Sequence, residues 1–399
     1  MNTHISDRVK SLAVSATLAM SQKSNELRAA GVDVINMSVG EPDFPTPHHI
    51  KDAAKKAIDD NFTFYTPVPG FMSLREAICR KLRDENGLQF APEQIVVGNG
   101  AKQALCNVIL ATVNRGDEVI IPMPAWVSYV EMVKLAEGVP VEIRANISRD
   151  FKITPEQLRA AITPRTVMVM LCSPSNPTGS VYSPAELRAL VDVLKDYPQV
   201  MVLADEIYEH INFTDGFTSL GSFPEIAGRT IIVNGVSKAY AMTGWRIGYC
   251  AAPLPIAKAV SKLQGQYSSN ASSIAQKAAE AAYNGPQDCV REMCEAFRRR
   301  RDLIVELARQ IEGWTVNVPQ GAFYLFPRVT GLLGRTTPRG SVIHTSGELA
   351  MYLLEEAHVA TVDGAAFGMQ GYLRLSYATS DDNIRTAMSR IRAAVAALK

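Results

Sequence analysis

The chain has 399 residues, room for about two domains at ~100 to 200 residues each. Its 41 lysines and arginines offset 40 aspartates and glutamates, leaving a net charge of +1 with 20% of residues charged. No broad field therefore draws it to nucleic acid or an anionic membrane, and small neutral or zwitterionic molecules are the default ligands.

The six cysteines, Cys79, Cys106, Cys172, Cys250, Cys289 and Cys294, form no CxxC pair and mostly fall in apolar runs. They read as buried free thiols of a reducing, cytosolic protein. Arg8 and Lys10 precede residues 11–19 in a superficial imitation of a secretory leader. Serine and threonine dilute that segment, and helix-forming residues 20–30 follow it without a break, so it is read as part of the folded chain. No run approaches the ~18 apolar residues of a membrane helix.

In chain order, residues 32–39 read as a strand ending at Gly40-Glu-Pro-Asp-Phe-Pro-Thr-Pro47, where three prolines and a glycine forbid regular structure. Gly40 suits either a tight turn or a close backbone approach to a ligand. Residues 50–60 are helical, and residues 62–70 form an aromatic, proline-rich loop around Tyr65. Residues 95–105 (Ile-Val-Val-Gly-Asn-Gly-Ala-Lys-Gln-Ala-Leu) give a strand, a glycine turn and a helix start. Free N–H groups at such a start bind phosphate. A dinucleotide site is disfavoured, because Gln103 occupies the third glycine position and Asp117 and Glu118 precede the next strand instead of ending it.

Residues 119–121 lead to Trp126, either core or a flat surface for an aromatic ligand. Thr154-Pro-Glu-Gln157 and Ser183-Pro-Ala-Glu186 are capping boxes with proline at the first helical position. Between them, the strand of residues 166–171 runs into a loop holding Asn176 between Pro174 and Pro177. The strand of residues 200–204 ends at Asp205-Glu-Ile-Tyr208. Asp205 is either a helix cap or a buried carboxylate in need of a positive partner.

Residues 230–234 form another buried strand, followed by Gly235-Val-Ser-Lys-Ala-Tyr-Ala-Met-Thr-Gly-Trp-Arg246. A lysine desolvated just past a strand end becomes a neutral nucleophile suited to Schiff-base chemistry. Ser237 and Arg246 flank Lys238 with donors for a phosphate. Asn176, Asp205, Lys238, the glycine turn and Trp126 each follow a separate strand of one alternating series, so they should converge on one crevice.

From residue 256 long helices take over. Asn284-Gly-Pro286 marks a boundary, and residues 289–311 form a helix whose arginines 298–301 read as its solvated face. Residues 321–326 and 372–377 read as strands of a smaller α/β unit. Arg374, mid-strand among apolar neighbours, needs an anion, supplied by the protein or by a substrate.

Together, Ser173-Pro-Ser-Asn-Pro-Thr-Gly179, Asp205-Glu-Ile-Tyr208, Ser237-Lys238 and Gly244-Trp-Arg-Ile-Gly248 resemble the fold-type I, pyridoxal-phosphate-dependent class I aminotransferases over nearly the whole chain. Within that family the early Gly-Glu-Pro-Asp-Phe loop is most similar to that of bacterial aspartate aminotransferases. The resemblance implies an α/β fold with a large domain (residues 49–286) built on a mainly parallel seven-stranded sheet flanked by helices. It also implies a smaller α/β domain (residues 287–399), to which the arm of residues 1–48 contributes.

It further implies that Lys238 carries pyridoxal 5′-phosphate as a Schiff base and moves a proton between the substrate Cα and C4′. Asp205 would pair with the pyridinium nitrogen, Asn176 and Tyr208 would bond the phenolic oxygen, and Trp126 would stack on the ring. Gly100, Ala101, Lys102, Ser237 and Arg246 would hold the phosphate, joined by Tyr65 of a second subunit in a homodimer. Arg374 would clamp the substrate α-carboxylate with help from the Gly40 N–H and Asn176, and Lys102 would meet a distal carboxylate.

The implied reaction converts L-aspartate and 2-oxoglutarate to oxaloacetate and L-glutamate. Alanine, aromatic or prephenate specificity stays open, although Ala13 replaces a polar residue of prephenate-active relatives. A β-eliminating lyase of sulfur amino acids stays open too. A ligand-sensing regulator is not expected, because too few residues precede Gly40 for a DNA-binding module.

Overall fold

The computed structural model describes residues 4–14 and 16–399, with residues 16–18 in backbone only. Strand β1 (Ile35–Asn36) belongs to the smaller unit. The larger unit is built on β2 (Ile95–Asn99), β3 (Glu118–Met123), β4 (Val139–Arg144), β5 (Thr166–Cys172), β6 (Met201–Asp205), β7 (Thr230–Gly235) and β8 (Ile247–Ala251). These form one sheet in the order β2-β8-β7-β6-β5-β3-β4. Only β8 runs against its neighbours, β2 and β7; every other pair is parallel. The expected mainly parallel seven-stranded sheet is thus present.

Both faces of the sheet are covered, as parallel sheets require. Side chains alternate between two cores: Ile95 and Val97 of β2 pack into one while Val96 packs into the other, and in β7 Ile232 is opposed by Ile231 and Val233. Each fully buried aliphatic side chain contributes ~1.5–3 kcal/mol relative to exposure. Both predicted capping boxes close, Thr154 Oγ1 accepting from the Gln157 N–H and Ser183 Oγ from the Glu186 N–H.

The smaller unit packs around a further core, which Ile207, Tyr208, Ile211 and Phe213 of the larger unit also enter. Its strands are β9 (Tyr324–Leu325), β10 (Val359–Ala360), β11 (Val362–Asp363) and β12 (Leu373–Ser376). The sheet β11-β12-β9 is antiparallel, and β10 pairs with β1 in parallel. Helices Asp288–Ala308, Ser346–Glu356 and Asp381–Ala396 cover them.

Several expectations are corrected. The strand read over residues 32–39 shrinks to Ile35–Asn36; Met37 still bonds the Ala360 carbonyl and the Ser376 N–H, but at Ser38 the backbone turns to side chains. The Ser38 N–H donates to Asn36 Oδ1 and the Ser38 carbonyl accepts from Arg374. The strand read over residues 321–326 likewise shortens to Tyr324–Leu325. The arginine run is not uniformly solvated: Arg298 and Arg299 are exposed, but Arg300 is buried. It falls three residues after buried Phe297 and three before Leu303, on the helix face turned inward. All six cysteines are free, yet only Cys250 is fully buried. The expectation for residues 11–19 falls partly on Ser15 and the side chains of 16–18, outside the described residues. Among the described residues no helix is long and apolar enough to cross a membrane.

Candidate active site

Six strands of the large sheet end at one edge, where β8 begins, and the segments following five of them, β2, β3, β5, β6 and β7, line a cleft of about 390 Å³. Gly40, Tyr324 and Arg374 close it from the other side. Lys102, Lys238, Arg246 and Arg374 line it, with Asp205 the one carboxylate among the described residues of the wall. Such a surplus of cations suits a ligand with several negative charges.

Lys238 lies three residues beyond β7, in a loop fixed at both ends by strand pairing. Its Nζ donates to the Gly40 carbonyl at 2.6 Å. Burial pushes its pKa down to about 8, against the Glu41 carboxylate, which holds it up. Near neutrality the amine is therefore close to releasing its proton, the condition for nucleophilic attack.

Asp205 ends β6, where strand pairing with β5 and β7 fixes its backbone. Its carboxylate accepts from the Tyr129 hydroxyl at 2.5 Å and from the Ile207 N–H at 3.2 Å. Burial nevertheless pushes its pKa up to about 6, which leaves the carboxylate short of a positive partner. A pyridinium N–H facing it would supply one. Cys172 nearby is pushed up to about 12 by burial, so its thiol stays protonated and takes no nucleophilic role.

Arg374 is the most informative side chain. It is 2% exposed, and Nη1 donates to Asn176 Oδ1 (3.1 Å) and Nη2 to the Ser38 carbonyl (2.6 Å). Its Nε has no partner among the described residues, and no described carboxylate pairs with it. The rings of Tyr324 and Phe367 lie 4.6 and 4.9 Å from the guanidinium. A buried cation without an anion is strongly unfavourable, so the cleft is built for an anionic ligand.

On the opposite wall the helix Ala101–Thr112 starts at Gly100, whose φ of 84° is left-handed. A Cβ there would lie 2.5 Å from Arg246 Nη2, so glycine lets the guanidinium lie against the helix start. Arg246 also donates to the Thr243 and Asn99 carbonyls. Gly248 plays the matching part on β8, since a Cβ there would collide with the Ala101 backbone. The first N–H groups of the helix, with Ser237 and Arg246, thus form an anion cradle.

Lys102 Nζ sits 4.9 Å from the Trp126 ring, its pKa lowered by burial and then by Arg246. Trp126 presents its ring to the cleft and meets Tyr129 edge to face at 5.5 Å. Tyr208 reaches the cleft floor, its hydroxyl 2.8 Å from that of Tyr324. Of the residues singled out from sequence, Gly100 lies just behind the cradle, and Tyr65, 92% exposed, stays outside the cleft of its own chain. The others line it together. Sequence reasoning passed over Tyr129 and Tyr324. Tyr129 had a signal, standing one helical turn after Trp126; Tyr324, in an apolar strand, had none.

The comparisons agree with this geometry. A family model described as aminotransferase class I and II matches residues 32–391. The chain is 50% identical over 396 residues to an aspartate/prephenate aminotransferase of Cereibacter sphaeroides, covering 99% of each. It is 48% identical over 390 residues to an aspartate aminotransferase of Rhizobium meliloti, covering 97% of this chain and 95% of that one. A crystal structure of the Rhizobium meliloti aspartate aminotransferase superposes with a TM-score of 0.96 at 46% identity, covering 100% of both chains. The Thermus thermophilus aspartate aminotransferase with maleate gives 0.91 at 41%, covering 98% of this chain and 100% of that one.

Proposed function

The chain belongs to the class I and II aminotransferases, and on that premise we propose that it transfers the amino group of L-aspartate to 2-oxoglutarate, giving oxaloacetate and L-glutamate. Pyridoxal 5′-phosphate is the coenzyme of the family. The cradle of helix N–H groups, Ser237 and Arg246, which Gly100 lets lie against the helix start, and Asp205, which has no cationic partner among the described residues, fit its phosphate and its ring nitrogen. When bound, it supplies an electron sink for the pair left on the substrate Cα after deprotonation.

The protein's part is to bind, orient and move protons. Lys238 would hold the coenzyme through its amine and would move the proton at the substrate Cα. Asp205, its carboxylate held in place by Tyr129, would pair with the ring nitrogen and favour its protonated form. Asn176 and Tyr208 would bond the phenolic oxygen, and Trp126 would cover the ring. The N–H groups of Ala101 and Lys102, the Ser237 hydroxyl and Arg246 would receive the phosphate. Tyr65 is exposed and does not line its own cleft, which supports a homodimer in which the partner subunit's Tyr65 completes the cradle.

Arg374 clamps the α-carboxylate through two parallel bonds, assisted by the Gly40 N–H and Asn176. Lys102, at the mouth, meets the distal carboxylate of aspartate or glutamate. We place the protein in the cytoplasm, with residues 49–286 as the large domain and residues 287–399, with the arm of 1–48, as the small one.

The observation that carries this reading is Arg374, a buried cation with no carboxylate partner among the described residues, lining the same cleft as a lysine whose pKa burial lowers to about 8. L-Aspartate added alone to purified protein should convert the coenzyme's absorption band to that of the amine form. An unchanged spectrum with both aspartate and glutamate rejects the substrate assignment. Lys238→Ala should lower transamination by at least about 10⁴-fold, and normal turnover in that variant rejects its role. Prephenate is the second acceptor to test, because the Cereibacter relative carries it in its name. Ala13 holds its own place here through its backbone, the N–H donating to Glu131 Oε2 at 2.9 Å.

A further inference from the structure

The arginine run lies outside the cleft, yet its third member grips the loop that closes it. Arg300 Nη1 is 2.7 Å from Asp43 Oδ1 and Nη2 is 3.0 Å from Oδ2. The guanidinium also lies 5.1 Å from the Phe44 ring and 5.7 Å from that of Phe297, and the two rings meet edge to face at 5.5 Å. Its Nε is 3.5 Å from Asp381 Oδ1. A two-pronged pair held between aromatic faces keeps one geometry, unlike the loose ion pairs of an exposed surface.

Asp43 belongs to a short segment that touches both reactive cations. Its Ser38 carbonyl accepts from Arg374 Nη2 and its Gly40 carbonyl from Lys238 Nζ, each at 2.6 Å. Further along, the segment is tied to the large unit. Thr46 Oγ1 donates to the Ala241 carbonyl (2.7 Å), Trp245 Nε1 donates to Thr46 Oγ1 (2.9 Å), and Thr243 Oγ1 donates to Glu41 Oε2 (2.8 Å). Among the described residues the Asp43 side chain is tied to the long helix of the smaller unit by the Arg300 clamp alone, beside the packing of Phe44 on Phe297.

We propose that Arg300 is a positioning residue: by clamping Asp43 it fixes the two backbone carbonyls that hold Lys238 and Arg374 in register. This deepens the proposed function and rests on the roles given there to those two cations. The charged groups facing Lys238 are Glu41, Arg374, Arg246 and Asp205. Glu41 and the Gly40 carbonyl, which favour the ammonium form, both ride on the clamped segment. Releasing the clamp withdraws an acceptor and an anion from the ammonium, so the amine loses its proton more readily. The Ser38 carbonyl loosens in the same event, and the carboxylate site with it.

The test uses the full chain, first without coenzyme. Trace acetylation of Lys238 by acetic anhydride, followed by peptide mapping over a pH series, reads its proton affinity directly. In Arg300→Met the midpoint should fall by about one unit. In the coenzyme-loaded variant the KM for every amino donor should rise by a common factor of about ten, with kcat changing less. Arg300→Lys, which keeps the charge without the fork, should lie between.

An unmoved Lys238 midpoint in a folded variant overturns the proposal. If Arg300→Met does not fold, Asp43→Asn, which keeps the shape and removes the charge, decides by the same readouts. Absence of transamination in the unmodified chain would reject the proposed function alone, because the acetylation readout needs no turnover.

Discussion

Two buried cations in this molecule meet opposite fates. Lys81, in the helix Met72–Asn86, is bonded to the Glu209 carboxylate and to Asn86 Oδ1. Glu209 also accepts from Asn86 and Asn234. Burial works to raise its pKa, but Lys81 and His210 hold the carboxyl below its usual range. Arg374 is as deeply buried and meets no described carboxylate. A satisfied buried charge is part of the scaffold; an unsatisfied one, maintained against its cost, marks where a ligand belongs.

That contrast can be broken by exchanging each cation for an apolar side chain. Lys81→Met strands Glu209 without its counter-ion and should lower unfolding free energy by ~3–5 kcal/mol, leaving KM unchanged in the protein that remains folded. Adding Glu209→Leu should restore most of the loss. Chemical denaturation of both variants checks this, and a stable single variant would mean that Lys81 is not the partner that matters.

Arg374→Met should do the reverse. Its kcat/KM should fall about 10²-fold for all amino donors, equivalent to ~3 kcal/mol, with a melting temperature equal to or above that of the parent. A lower melting temperature with intact kinetics would make Arg374 a scaffold residue like Lys81.

Glu206, one residue past Asp205, sharpens the comparison at smaller scale. Burial, then the neighbouring Glu209, pushes its pKa from 4.5 up to about 8. The folded chain thus keeps a proton that the unfolded chain has already released across that window. The stability from this group is complete below 4.5 and is lost as pH rises through about 8. Glu206→Gln should flatten the dependence of melting temperature on pH over the same interval. Equal slopes in variant and parent would show that Glu206 is ionised when folded.

What could be read beforehand divides along the same line. Lys238, Asp205, Asn176 and Trp126 were legible because each follows an apolar run, and parallel strands deliver their ends to one edge. Arg374 announced itself as a charge inside an apolar strand. The rest depends on contacts between distant segments. Tyr324 gives no sign in sequence that its hydroxyl will meet Tyr208. Arg300 looked like its solvated neighbours until the helix phase set it against Asp43. The extended reading of residues 32–39 was too long because side chains take the backbone groups at its ends: Arg390 and Arg28 bond the Asp33 and Val34 carbonyls, and Asn36 and Arg374 bond Ser38.

The backward course of β8 has a consequence for the chemistry. Because it returns antiparallel beside β7, Lys238 and Arg246 occupy one connecting loop, anchored where Gly235 pairs with Gly248. The distance from the attacking amine to the anion-binding guanidinium is therefore gauged by a single stretch of chain, as between the jaws of a caliper. Lengthening that stretch by one residue would miscalibrate the catalyst without removing a single functional side chain.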